Sequence, residues 1–152
     1  MSRFFLLGLL GLCGCMQTEG ASKRLTDTVN MLDKTTRWGQ LPEASRLAMP
    51  EYRARFIEKH ADWGSVIQLG DSEVLQVDMA HDAESAVAVL SYQWYSSDVM
   101  TLHQSVVRQQ WTRAGGGFAL VSETIVQGDP RLFRTSGKPA FGADTGALGM
   151  AP

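Results

Sequence analysis

Apolar residues recur at two different periods along the chain, and the change of period divides it. Leu25, Val29 and Leu32 fall on one face of a helix, with Trp38 near its exit. Ser22 or Thr26 suits its start and Gly39 its end. Pro42 suits the first turn of a second helix, whose inward side is Ala44, Leu47 and Ala48. Pro50 opens a third, in which Tyr52, Phe56 and Lys59 or His60 recur by turns, and Trp63-Gly64 closes it. After Val66 the period falls to two. Residues 66–78 read as a strand interrupted at Gly70-Asp71, and 85–95, 101–112 and 118–126 read as three more. The order is three helices and then four strands, with the first strand open to splitting. In the second strand Val87, Val89, Ser91, Gln93 and Tyr95 share one face; Ala86, Ala88, Leu90, Tyr92 and Trp94 share the other. Both faces are partly apolar. The short connections at 80–84, 96–100 and 113–117 favour antiparallel neighbours, and Gly115-Gly116-Gly117 makes positive φ cheap in the last of them.

The two ends depart from this patterning. From Gln127 onward the signal fades. Gly128, Pro130, Gly137, Pro139, Gly142, Gly146 and Gly149 punctuate residues 128–152, which read as a flexible tail with Leu132 and Phe133 tacking its start onto the domain. At the other end Arg3 gives a positive start, residues 4–12 are unbroken apolar residues and glycines, and Leu12-Cys13-Gly14-Cys15 comes next. The run is too short for a membrane-spanning helix, which takes about 20 residues. A charged start, a short apolar stretch and a small residue before the cut describe a secretory signal.

Leu12, Gly14 and Cys15 resemble the lipobox of bacterial lipoprotein signals, with Cys13 at a place more often held by Ala, Ser or Thr. The resemblance implies a signal peptide over 1–14, cleavage before Cys15, and acylation of Cys15 by diacylglycerol and a further chain such as palmitate. It implies a protein held by lipid to a bacterial cell membrane or outer membrane, with its body in the periplasm or elsewhere outside the cytoplasm. Residues 15–22 would then be a lipidated terminus and polar tether, and residues 23–127 the folded domain.

The order of elements carries a second resemblance. Trp38-Gly39-Gln40-Leu41-Pro42-Glu43-Ala44, Pro50-Glu51-Tyr52-Arg53-Ala54-Arg55-Phe56, and the pair Val106-Val107-Arg108-Gln109-Gln110-Trp111 and Gly116-Gly117-Phe118-Ala119-Leu120-Val121 resemble the bend, the short helix and the last hairpin of NTF2-like domains. This family includes ketosteroid-isomerase and polyketide-cyclase relatives. The resemblance implies an α+β fold, a cone of N-terminal helices packed on a curved antiparallel sheet, with a sheet face that often pairs two copies. No catalytic set of the family matches residue by residue.

Composition and chemistry narrow the function without naming it. The net charge is -2, with no Lys/Arg cluster, which argues against nucleic acid as a partner. Cys13 and Cys15 are the only cysteines of 152 residues, which excludes a disulfide scaffold or a cysteine-rich zinc site. No phosphate-binding glycine loop, His-Glu-x-x-His pattern or nucleophile elbow is present, so no cofactor or metal is expected. His60 and Asp62, two apart, do not share a helical face and read as surface residues; His81 and Asp82 read as a solvated turn. His103 alternates with Ser105, Val107, Gln109 and Trp111, so it is the histidine that points toward a pocket and the candidate for proton transfer near neutrality. Asp33 lies off the helical stripe and reads as exposed; Asp98 sits in a turn. Tyr92, Trp94, Tyr95, His103 and Trp111 are the candidate pocket residues. The sequence supports two readings of function. One is a non-catalytic binding or structural domain of the envelope, for a small apolar ligand or a second copy. The other is a small pocket enzyme using a histidine and an aspartate for proton transfer, of isomerase or dehydratase type.

Overall fold

The computed structural model describes residues 16–134. Helix α1 spans Met16–Arg37, α2 Leu41–Ser45 and α3 Arg53–Lys59; strands β1 Ile67–Met79, β2 Ser85–Ser96, β3 Leu102–Ala114 and β4 Gly117–Gly128 come next, then a 3-10 turn at Pro130–Leu132. The helical stripe is buried as its spacing requires: Leu25, Val29 and Leu32 are sealed, and Ala21 and Thr36 extend the seam by a turn at each end. Lys34 and Arg37 in the last turn suit the negative end of the helix dipole, and the chain leaves through Gly39 at φ 73°.

The four strands form one antiparallel sheet in the order β1-β2-β3-β4. β1 is a single strand whose interruption at Gly70 is absorbed as a register shift between Leu69 and Asp71; a second shift lies between Val74 and Gln76. The helices cover one face. Ala86, Ala88, Leu90, Tyr92 and Trp94 of β2 point into that core, with Val107 and Trp111 from β3 and Phe118 and Leu120 from β4. Val87, Val89 and Tyr95 lie on the other face. The edge of β4 is partly covered by the chain after α2, where Met49 N–H donates to the Leu120 carbonyl at 2.9 Å and Leu120 N–H to that of Leu47 at 2.9 Å.

Three expectations are corrected by this architecture. The sheet does not close into an NTF2-like cone: β1 and β4 are its two open edges, and the meander is covered on one side only. Residues 16–22 are not a tether. They are the first turns of α1, and Ala21 is already 2 % exposed. Nothing among the described residues supports the lipid-anchored envelope protein, with its periplasmic or outer-membrane placing; the signal over 1–14 and lipidation at Cys15 lie outside them. Among the described residues no helix is long and apolar enough to cross a membrane. Finally, the fold does not stop at residue 127. The chain turns at Gly128, and residues 129–134 lie back over the core, with Leu132 fully buried and Phe133 8 % exposed. Residues 135–152 of the expected tail lie outside the described part.

Candidate functional site

Two histidine–carboxylate pairs are built into this framework, one sealed and one open to solvent. The sealed pair is His60 with Glu123. His60 ends α3, and its Nδ1 donates to the Phe56 carbonyl one turn back at 2.8 Å. That fixes the neutral tautomer, so Nε2 carries the lone pair. Nε2 faces the Glu123 carboxylate at 3.6 Å, beyond ordinary hydrogen-bond length. Phe56, Trp63 and Phe133 enclose the ring at centroid distances of 4.3, 4.5 and 5.0 Å. Burial among these rings pushes the His60 imidazole below its ordinary pKa, against the opposing pull of Glu123.

Glu123 is held from several sides. Gln109 Nε2 donates to Oε1 at 3.1 Å, and Trp111 Nε1 donates to Gln109 Oε1 at 3.3 Å. The Tyr52 hydroxyl accepts from Glu123 N–H at 3.1 Å and lies 3.5 Å from Oε2. Burial, then the nearby carboxylate, drives the Tyr52 phenol well above its ordinary range. Lys59 Nζ donates to the Glu123 carbonyl at 2.6 Å over the rings of Tyr52 and Phe133, and burial lowers its pKa. Apart from His60 Nε2, which has no hydrogen bond, the groups of this network are paired within the protein.

The open pair is His103 with Asp129. His103 Nδ1 lies 3.3 Å from Asp129 Oδ2, and both side chains are 19 % exposed. Three neighbours position them. Trp94 stacks on the imidazole at 4.6 Å and 26°. Trp94 Nε1 donates to Ser105 Oγ at 3.1 Å, and Ser105 Oγ donates to the Asp129 carbonyl at 2.8 Å. Arg131 donates from its backbone N–H and from Nε to Asp129 Oδ1, at 2.9 and 3.0 Å. Those Arg131 hydrogen bonds hold the Asp129 carboxyl below its ordinary pKa, so it stays an acceptor near neutrality. His103 Nδ1 thus faces an anionic oxygen at ion-pair distance, and no described residue bonds to Nε2.

The candidate pocket residues separate into different environments. Trp94 and His103 pair across β2 and β3. Trp111 lies eight residues further along β3, about 26 Å away at strand rise, and belongs to the sealed network. Tyr92 is buried edge-on to Trp63 at 5.3 Å; burial and the Asp33 carboxylate raise its pKa well above 10. Tyr95 is on the opposite face of the sheet. Asp33 is half-buried, accepting from Ser72 Oγ at 2.7 Å, where exposure was expected. His60 is likewise interior instead of on the surface: α3 delivers it to the core, and Phe133 closes over it. The residues missed by sequence reasoning are Glu123, whose inward turn depends on a bulge in β4, and Asp129, placed in a tail. The dipeptide Asp129-Pro130 was a usable signal, because Asp before Pro caps a tight turn.

A domain expected only to bind or to support thus carries a positioned histidine–aspartate pair, and the non-catalytic reading gives way to its alternative. Among the described residues no group of three His, Cys, Asp or Glu side chains is placed to hold a metal. No family model and no curated protein matches the chain. Among solved structures it is similar to the intermembrane space region of chloroplast protein ARC6, at 11% identity over 74% of this chain and 98% of that one, with a TM-score of 0.41, a likeness that carries no inference about activity, partner or location.

Proposed function

We propose that the chain is a small acid–base enzyme of isomerase or dehydratase type, with His103 as the base and Asp129 as the residue that orients it. The observation behind this reading is the Nδ1–Oδ2 contact at 3.3 Å, on a half-buried ring whose Nε2 has no hydrogen-bond partner among the described residues. Asp129 holds the tautomer that puts a lone pair at Nε2, and it offsets the positive charge that forms when Nε2 takes a proton. Trp94 restricts rotation of the ring. In an isomerisation Nε2 takes a proton from carbon next to a carbonyl. The C–H electron pair moves into the conjugated system, and the imidazolium returns the proton at another carbon. In a dehydration the same proton removal is followed by cleavage of the C–O bond, the imidazolium giving its proton to the departing hydroxyl, which leaves as water.

The test uses an activated carbon acid, 5-nitrobenzisoxazole, whose ring opens when a base removes its C–H proton. The wild-type protein should open it faster than His103→Gln by on the order of 10²-fold, the low end for a positioned base. Asp129→Asn should fall between the two. Equal rates for wild type and His103→Gln, with unchanged circular dichroism, would sink the assignment.

A further inference from the structure

Residues 129–134 form a strap whose interior side chains fill the space above His60. Phe133 stacks on Trp63 at 6.1 Å and 17° and meets His60 edge-on at 5.0 Å. Leu132 is sealed beside it. Asp129, at the start of the strap, is held by Ser105 and His103, and Lys59 lies over the Phe133 ring. Trp63 Nε1 donates to the Leu132 carbonyl at 2.8 Å, and Arg134 N–H donates to the Lys59 carbonyl at 3.0 Å. The Arg134 guanidinium grips Asp62 at the solvent edge, with Nε to Oδ2 at 3.0 Å. A 3-10 turn of three residues replaces any ladder of backbone bonds. The rest of the core is held by sheet pairing and α1. Segments held without such pairing belong to the low-stability end of a fold and open without global unfolding.

We propose that this strap is a displaceable plug. The slot that Phe133 occupies, between Trp63 and His60, takes a small, flat, uncharged ring bearing a hydroxyl group. The slot has the two properties such a ligand needs. Its walls are aromatic, and Trp63 already stacks a six-membered ring of the chain itself. Its polar contribution is His60 Nε2, an acceptor whose nearest facing group, the Glu123 carboxylate, is at 3.6 Å. A phenolic O–H supplies the donor that this nitrogen lacks. A charged ring is disfavoured by the same burial that keeps His60 neutral. Exposing Leu132 and Phe133 holds the open form to on the order of one molecule in a thousand. A ligand ring that restores the stacking offsets that cost. The slot contains no part of the His103 pair, and the readouts at Trp63 and Phe133 are separate from the rate assay of the proposed activity.

Phenol titrated into the full chain is the test, read by NMR at the Trp63 indole N–H and the Phe133 ring. Displacement breaks the indole bond to Leu132, so saturating phenol should shift the Trp63 signal and give Phe133 the shifts of a solvated ring. Arg134→Ala loosens the outer fastening alone, and should tighten phenol binding about two- to fivefold, the range of a partly exposed ion pair. Anisole, which cannot donate a hydrogen bond, should bind more weakly than phenol. The proposal is overturned if millimolar phenol leaves both signals unmoved in wild type and Arg134→Ala. It is overturned equally if phenol binds while the Trp63–Leu132 bond persists. Amide exchange that rises across β2 and β3 in Arg134→Ala would also refute it, because the strap would then be part of the global fold.

Discussion

His60 makes the pH dependence of stability a direct reading of the sealed interior. Burial lowers its folded-state pKa below the unfolded value of about 6.5. As pH falls, the unfolded chain therefore takes up the proton first, and unfolding gains what the folded state cannot match. Stability from this group is complete above about pH 6.5 and drains below it, until the folded imidazole also protonates. The slope is at most about 1.4 kcal/mol per pH unit, so the loss between pH 6.5 and 5 is at most about 2 kcal/mol. The comparison is His60→Asn, which keeps an N–H donor toward the Phe56 carbonyl but does not titrate. It also gives up contacts with Phe56, Trp63 and Phe133, so it is less stable at every pH; the slope is the readout. His81 and His103 are common to both proteins and cancel. Urea unfolding at half-unit steps from pH 7.5 to 5 should show wild type losing stability faster than His60→Asn below pH 6.5. Parallel curves would mean that His60 is hydrated or charged in the folded state, and the account of the sealed pair would fail.

Two further outcomes test the framework around the pairs. Tyr52→Phe leaves the buried Glu123 N–H without its acceptor and should cost about 1–3 kcal/mol in urea unfolding, while a cost under about 0.5 kcal/mol would show that the hydroxyl is dispensable. Gly128→Ala meets two obstacles at once: φ is +89°, and a Cβ would sit 2.1 Å from the Gln104 carbonyl oxygen and 2.8 Å from Ser105 Cα. Both are backbone atoms, so β3 or the turn must move, at about 2–4 kcal/mol; an unchanged urea midpoint would contradict the turn described at the end of β4.

The helical part was legible because it has one period and one buried stripe: Leu25, Val29 and Leu32 are interior as spaced. Strand β2 was legible as a strand but not as to its face. Small Ala86 and Ala88 went inward, where they admit close approach of the layer above, and bulkier Val87 and Val89 went outward, a choice that alternation alone does not make. In β4 the obstacle was a bulge. Phe118 and Leu120 point inward, and simple alternation sends Glu123 outward. The shift between Gln110 and Trp111 inserts one residue on β4, pairing Gln110 with Ser122, and turns Glu123 to the core side. Glu123 therefore could not be placed beside His60 from spacing. Nor could closure of the sheet be judged, since three helices and a four-strand meander are the same string of elements whether or not the outer strands meet. His60 read as exposed because its own helix leaves it at the end; its cover arrives from Leu132 and Phe133, more than seventy residues later.

Asp129 occupies two structures at once. It is the carboxylate that faces His103 and also the residue that caps the turn carrying Leu132 and Phe133 inward. Its position cannot be set for one role without being set for the other. A substitution that moves Asp129 therefore disturbs both the His103 contact and the turn that seats Phe133. The half-buried histidine and the sealed one share no contact, and the five residues from Asp129 to Phe133 are the stretch of chain that touches both.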